Sequence, residues 1–328
     1  MYSMSATTTP LERSSRLIRR LTLTLGEQAR IDRVIISFLL GAGEFPGNAY
    51  DQVAWATPFV SMLEEAAPRL VQAMRDVRAG KLVACYVRGL PEDTKKAALV
   101  LLANSIILGK PFNYSGQCGG QLVMRLVPAA GSMGNTNTTR DDFQIHTDDA
   151  ALPRDARTEF INLYGIINPP GTMTSYAAAA DAVSDLEPSL VDALREDRYS
   201  LRFPLSFGFG AEMWSSPAPI LAGTDDDLEL RFPSYAVKPS RDGDSEALMA
   251  IEKLTEALNR HAVPFALDAG CFLTFNNSRG AHRRDAIGSG DRLVLRTYSA
   301  RTLDFLQSIT AQQGPIFSIE SYAKKIHR

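Results

Sequence analysis

The sequence predicts an α+β fold: a β-sandwich or barrel core with a helical layer on its N-terminal side. Helical periodicity is concentrated in the first third of the chain. From residue 121 onward, short apolar runs alternate with loops rich in Gly, Pro, Ser and Asp. No linker, internal repeat or low-complexity tract divides the 328 residues, so residues 11–328 read as a single domain behind a Ser/Thr-rich, flexible 1–10.

Each element follows from local signals. Stretches 12–25 and 28–40 carry apolar residues at three-to-four spacing and predict helices. Pro68 opens a third helix and Gly80 stops it. LVACYV (82–87) predicts a buried strand, and a helix then runs from Pro91–Asp93 to Leu108, stopped by Gly109. The predicted strands that follow are 121–127, 160–167, 173–179, 199–203, 271–275 and 292–299. One late helix, 245–260, places Leu248, Ile251, Leu254 and Leu258 on one face, with Asp244 or Ser245 as its cap.

Composition narrows the function. Apolar residues make up 45% and charged residues 22%, which excludes a mostly disordered chain. The net charge of −2 provides no basic footprint for nucleic acid. The four arginines between Arg13 and Arg20 fall at helical spacing and read as a solvated helix face. Cys85, Cys118 and Cys271 are odd in number and widely spaced, against a disulfide framework or a zinc ribbon. No signal peptide is visible, and the apolar run Val34 to Leu40 is too short to span a bilayer. The expectation is a cytoplasmic protein that acts on a small molecule, without nucleic acid or membrane.

The chemistry centres on His146 and His282, two of only four histidines; the others are His261 and His327. His146 and Asp148 form a His-x-Asp pair, which on a strand would share one face. Adding His282 gives two histidines and one carboxylate, the facial triad of non-haem Fe(II) oxygenases. The pair alone is weak, since four histidines and 37 acids give about 0.45 His-x-acid pairs by chance. Support comes from Arg296, set in the apolar strand RLVLRTYS, where a cation needs an anion. Thr172 in PPGTMTSY supplies a hydroxyl that can join Arg296 on a carboxylate. A metal and a carboxylate clamp facing one cavity suit 2-oxoglutarate.

Five segments together resemble the clavaminate synthase-like group of Fe(II)/2-oxoglutarate oxygenases, close to the taurine dioxygenase superfamily. They are GQLVMRLVP (120–128), HTDDA (146–150), INPPGTMTSY (167–176), NNSRGAHRRD (276–285) and GDRLVLRTYS (290–299). The resemblance implies a double-stranded β-helix (jelly-roll, cupin-like) core over about 81–305, with the N-terminal helices packed on it. It implies Fe(II) on His146, Asp148 and His282, and the distal carboxylate of 2-oxoglutarate on Arg296 and Thr172. It also implies O2 as co-substrate and hydroxylation of an unactivated aliphatic C–H bond. The group often has Glu where this chain has Asp148, and both serve as carboxylate ligands.

Departures from the group bear on the substrate. Relatives that hydroxylate free amino acids carry a second arginine four residues after the first; counted from Arg296, that position is Ala300. Arg301 is one residue out of register and would face the other way. Met124 stands where those relatives have a glutamine for the substrate amine. Without these handles a free zwitterion is costly to bury. A neutral cyclic dipeptide is then the expected substrate, as in antibiotic biosynthesis of the bicyclomycin kind, with a free or carrier-tethered L-amino acid as the alternative. Asn135 and Asn137 offer amide hydrogen bonds, and the segment 205–228, with Phe207, Phe209, Met213 and Trp214, reads as a lid or an anchored surface loop. Asp225, Asp226 and Asp227 read as solvated loop. The competing classes are a metal-dependent hydrolase and a non-catalytic cupin-like binder.

Overall fold

The computed structural model describes residues 17–129, 131, 136–204, 207 and 212–320. In chain order the strands are β1 (Ile18–Thr22), β2 (Ala84–Arg88), β3 (Lys110–Tyr114), β4 (Met124–Leu126), β5 (Phe143–His146), β6 (Phe160–Ile167), β7 (Met173–Ala178) and β8 (Tyr199–Leu201). They continue as β9 (Leu221–Ala222), β10 (Glu229–Leu230), β11 (Val237–Pro239), β12 (Val263–Ala266), β13 (Cys271–Asn276), β14 (Gly280–Arg284), β15 (Leu293–Ala300) and β16 (Ile316–Phe317). The helices are α1 (Leu25–Ala42), α2 (Ala49–Ala66), α3 (Pro68–Arg78), α4 (Thr94–Leu108), α5 (Ala179–Val183), α6 (Pro188–Leu194), α7 (Ser245–Arg260) and α8 (Asp304–Thr310).

Two sheets dominate. The major sheet runs β1-β2-β13-β6-β15-β3-β16, with β4 also on β15, and the minor sheet runs β12-β7-β14-β5. Side-chain alternation along each strand stacks them. On β2, Ala84 and Tyr86 join the core shared with Tyr176 of β7 and Phe265 of β12, while Cys85 and Val87 face the helices. On β15, Val294, Tyr298 and Ala300 point between the sheets, and Leu293 and Leu295 point at the helical layer. On the minor sheet Ile145, Ala177 and Ala281 face outward, under Leu254 and Leu258 of α7. The result is four layers: helices, major sheet, minor sheet, helices.

The helical layer forms for local reasons. Thr24 and Glu27 make a reciprocal capping box at the start of α1. Asp93 accepts from the N–H groups of Lys95 and Lys96 to start α4, and Pro68 sits in the first turn of α3. Helix α4 is apolar nearly all round because it lies between α2 and the back of β6 and β15. Ser105 pins it there, paired with Thr297 on β15 and accepting from Asn162 on β6 at 3.0 Å.

The N-terminal arginine stretch departs from the helix expected at 12–25. Residues 18–22 form β1, paired in parallel with β2. The arginines are used singly: Arg19 meets Asp76 at 2.9 Å, and Arg20 lies over Phe265 at 4.5 Å. Sheet pairing overrides helical spacing here. In α7 the buried face is Ala247, Ala250, Leu254, Ala257 and Leu258, and Leu248 is exposed. Its alanines let the helix sit close to the minor sheet, a pattern that counting large apolar residues misses. Cys85 and Cys271 are buried, Cys118 is exposed, and none is in a disulfide. No helix among the described residues is long and apolar enough to cross a membrane.

Candidate metal centre and pocket

The two histidines meet because two short strands pair in register. His146 ends β5 and His282 is its cross-strand partner on β14. Their rings lie 4.2 Å apart, with Phe143 stacked 4.0 Å from His146 and Phe275 4.8 Å from His282. Strand parity does not place Asp148, because β5 stops at His146 and Asp148 lies in the turn beyond it. Asn277 places it instead. Its Oδ1 accepts from Asp148 N at 2.8 Å, and its Nδ2 donates to Asp148 O at 3.0 Å and Thr158 O at 2.9 Å. The next residue, Asp149, takes a positive φ of 59°, a conformation that Asp tolerates better than most residues. Its carboxyl is pushed up to about 7 by burial and by the neighbouring Asp148.

One ligand atom from each of His146, Asp148 and His282 lies within 4.8 Å of the others, and all three residues are buried. His146 Nδ1 faces Gln144 O at 2.7 Å, a contact that suits an N–H there and leaves Nε2 with its lone pair free. That Nε2 is buried without a hydrogen-bond partner, 3.2 Å from Asp148 Oδ1. His282 Nε2 is 3.7 Å from the same oxygen, and its Nδ1 is a second orphaned buried nitrogen. Burial, reinforced by His146, pushes His282 down to about 3, so its imidazole is neutral and available as a ligand. Burial alone would raise the Asp148 carboxyl; His146, His282 and Arg296 outweigh it and hold it below the usual carboxylate range. Two imidazoles and one carboxylate, with buried nitrogens left unsatisfied, fit a divalent iron.

The two oxygens of Asp148 have different neighbours. Oδ1 faces the histidines, whereas Oδ2 accepts from Tyr298 Oη at 2.6 Å and Arg296 Nη1 at 3.2 Å. Tyr298 and Arg296 stand two apart on β15 and both point between the sheets. Arg296 Nη2 also reaches Gln117 Oε1 at 3.3 Å and Met124 Sδ at 3.4 Å.

A cavity of ≈ 420 Å³ extends from the histidines between the sheets. His146, His282, Thr174, Arg284, Arg292, Arg296 and Asn137 contribute to its lining. Its cations differ in how they are satisfied. Arg283 pairs with Asp285, Arg284 donates to Asp285 O and Thr139 O, and Arg296 holds Asp148. Arg292 is 4% exposed and has no side-chain partner among the described residues; its Nε is sealed from solvent. Burial and the nearby Arg284 push it down to about 10.

The sequence missed Arg292, although the signal was present: a four-residue spacing from Arg296 on a strand means the same face. Thr172 does not line this cavity; it precedes β7, and its buried Oγ1 lacks a partner, while Thr174, two residues on, does line it. Met124 is at the site, beside Arg296. Ala300 is not: together with Arg301 it lines a different cavity, and Arg301 is held by Glu159 at 3.2 Å. Trp214 lies outside the metal pocket, under Lys238 and bonded to Glu212. Asn135 and Phe209 fall outside the described residues, as does His327. Of the segment read as a lid, Phe207 is buried 5.2 Å from the Tyr114 ring, and Asp225 and Asp227 make ion pairs with Arg195 and Arg279.

The architecture and the sequence both have relatives. Asparagine oxygenase, solved with Fe(II), 2S,3S-3-hydroxyasparagine and succinate, superposes with a TM-score of 0.80 at 22% identity, over 91% of this chain and 98% of that one. The non-haem iron oxygenase OrfP, solved with Fe, succinate and (3S)-hydroxy-L-Arg, gives 0.77 at 20% identity, over 91% and 99%. At such identities these likenesses establish the fold. No curated protein matches the sequence significantly. The family model described as taurine catabolism dioxygenase TauD, TfdA family matches residues 60–298. The chain belongs to the TauD/TfdA dioxygenase family, within the non-haem Fe(II)/2-oxoglutarate-dependent oxygenases.

Proposed function

We propose that the chain is a single oxygenase domain with a double-stranded β-helix core, and that it hydroxylates a small substrate bearing a carboxylate, best represented by a free L-amino acid. One observation carries this reading: Arg292 and Arg296 both line the metal cavity, and only Arg292 lacks a partner. His146, Asp148 and His282 hold the iron. When bound, iron and 2-oxoglutarate supply the oxidising power that breaks an unactivated C–H bond.

The protein's own residues do the rest. Tyr298 and Arg296 hold Asp148 Oδ2, leaving Oδ1 as a single ligand oxygen. Arg292 takes the distal carboxylate of 2-oxoglutarate, helped by the hydroxyl of Thr174, which lines the same cavity. Arg296 lies about 13 Å from Arg292 along the strand at ~3.3 Å per residue, too far to share that carboxylate comfortably. With Nη1 on Asp148, its Nη2, now 3.3 Å from Gln117 and 3.4 Å from Met124, is the group to meet the substrate's carboxylate instead. The case for a cyclic dipeptide rested on two missing handles, the second arginine, counted from Arg296 to Ala300, and the glutamine replaced by Met124. Counting from Arg292 puts Arg296 in that place, and the carboxylate of a zwitterion then has its handle. The hydroxylated amino acids bound by asparagine oxygenase and OrfP support the same choice.

Succinate release tests it, with Fe(II), 2-oxoglutarate and oxygen and two panels, free L-amino acids and aliphatic cyclic dipeptides. Stimulation by a free amino acid is expected. Stimulation by cyclic dipeptides alone would return the assignment of Arg296 to 2-oxoglutarate. Anaerobic Fe(II) with 2-oxoglutarate should give a visible charge-transfer band that His146→Ala loses along with turnover. A folded, iron-loaded protein with no band would favour a hydrolase or a binder.

A further inference from the structure

A second cavity, of ≈ 750 Å³, opens where β13 turns into β14 and where β15 ends. Its walls are charged, and most of the charge is paired. Arg154 is held by Glu229, Arg279 by Asp227 and Arg301 by Glu159. Arg157 is the exception. It lines the cavity, is 7% exposed, and makes no side-chain hydrogen bond or ion pair with any described residue. Its Nε is sealed from solvent without an acceptor. Arg231 repeats the pattern behind it, with an orphaned Nε and a guanidinium pushed down to about 9 by burial and by Arg157. Glu229 acts on Arg157 only at a distance, since Arg154 holds it, and a buried cation without a bonded counter-ion is costly. The floor adds neutral donors: Asn276 Oδ1 accepts from Ser278 N at 2.9 Å, which leaves Asn276 Nδ2 without a partner among the described residues.

We propose that this cavity is an anion site for a small monocarboxylate, whose two oxygens take the fork of the Arg157 guanidinium. The planar fork matches a carboxylate. The four arginines and four carboxylates of the lining balance, so a dianion would leave twice the excess negative charge of a monoanion, and phosphate and dicarboxylates are disfavoured. The site reaches the metal loop through one residue. Thr158 follows Arg157; its hydroxyl donates to Asp149 at 2.7 Å, and its carbonyl accepts from Asn277, which grips Asp148. Filling the site steadies this loop.

Calorimetric titration of the protein with acetate, and separately with inorganic phosphate, tests the proposal. Acetate binding should weaken at least tenfold in Arg157→Gln and in Asn276→Asp, which adds a negative charge to the floor. It should persist in Arg292→Gln, whose lost cation belongs to the other cavity. If Arg157→Gln does not fold, Asn276→Asp carries the test alone. Absence of acetate binding, full-strength binding in a folded variant of either kind, loss in Arg292→Gln, or phosphate binding as tight as acetate each overturns it. Hydrogen exchange at the Asp148 amide should slow several-fold with acetate bound, and unchanged exchange refutes the link to the metal loop.

Discussion

Where β1 and α1 meet α3, each buried carboxylate has both oxygens occupied. Glu27 accepts from Thr24 N and from two nitrogens of Arg69, at 2.7–2.9 Å. Asp76 accepts from Arg19 and from Gln72, each at 2.9 Å. Between the sheets the polar groups are as deeply buried and far less satisfied. His146 Nε2, His282 Nδ1, Thr172 Oγ1, Arg292 Nε and Arg296 Nε all lack partners. Orphaned buried groups lower stability, so a chain that keeps four of them, all but that of Thr172, on residues lining one cavity keeps them for something that binds there. The helical layer holds the fold, and the pocket trades stability for chemistry.

Replacing Arg292 by Met sharpens this contrast most. Removing an unpartnered buried cation should raise stability by about 1 kcal/mol or more, read as a higher Tm of the metal-free protein. The same change removes the charge-assisted bonds assigned to 2-oxoglutarate, and its KM should rise about 100-fold or more. Opposite signs in the two measurements are the signature of a functional orphan. If Tm falls along with activity, Arg292 is structural and the contrast breaks.

Tyr298→Phe probes the satisfied side of the same pocket. Its hydroxyl holds Asp148 Oδ2 at 2.6 Å, so losing it frees that oxygen to swing toward the metal. Metal affinity should fall about 10–100-fold, measured by Fe(II) or Co(II) titration, with the fold intact. An unchanged affinity would mean that Arg296 alone positions the carboxylate.

The same contrast explains what the sequence revealed. Strands built from apolar runs, such as Phe160–Ile167 and Leu293–Ala300, were legible, because burial on both faces writes itself as continuous hydrophobicity. Phe143–His146 and Gly280–Arg284, which carry the histidines, were not, since polar site residues interrupt the run. His146, Asp148 and His282 were found through their scarcity and order. Arg292 stands out less, because the resemblance attaches its arginine role to Arg296, and only the folded chain shows both arginines lining one cavity. Arg157 carries no sequence signal, and Asn277 has only its place in NNSRGAHRRD, which attaches no role to it. One matters for the partner it lacks and the other for three backbone bonds, and both are properties of the folded chain.

The smallest expected effect comes from the helical layer itself. Glu27→Gln keeps the capping geometry, because Gln also serves at that position, and removes only the charge facing Arg69. Arg69 is half exposed, so the loss should be about 0.5–1 kcal/mol at neutral pH, with turnover untouched. The Arg69 guanidinium holds the Glu27 carboxyl down to about 2, against 4.5 unperturbed. A lowered carboxyl contributes stability above its unfolded value and loses it as the pH falls through the folded one. The gap in stability between wild type and Glu27→Gln should therefore be constant from pH 7 to about 5. It should shrink below 4.5 and vanish near 2. Denaturant titrations across that range measure it. A gap that persists at pH 2 would place its origin in packing rather than charge, and the helical layer would no longer serve as the satisfied half of the comparison.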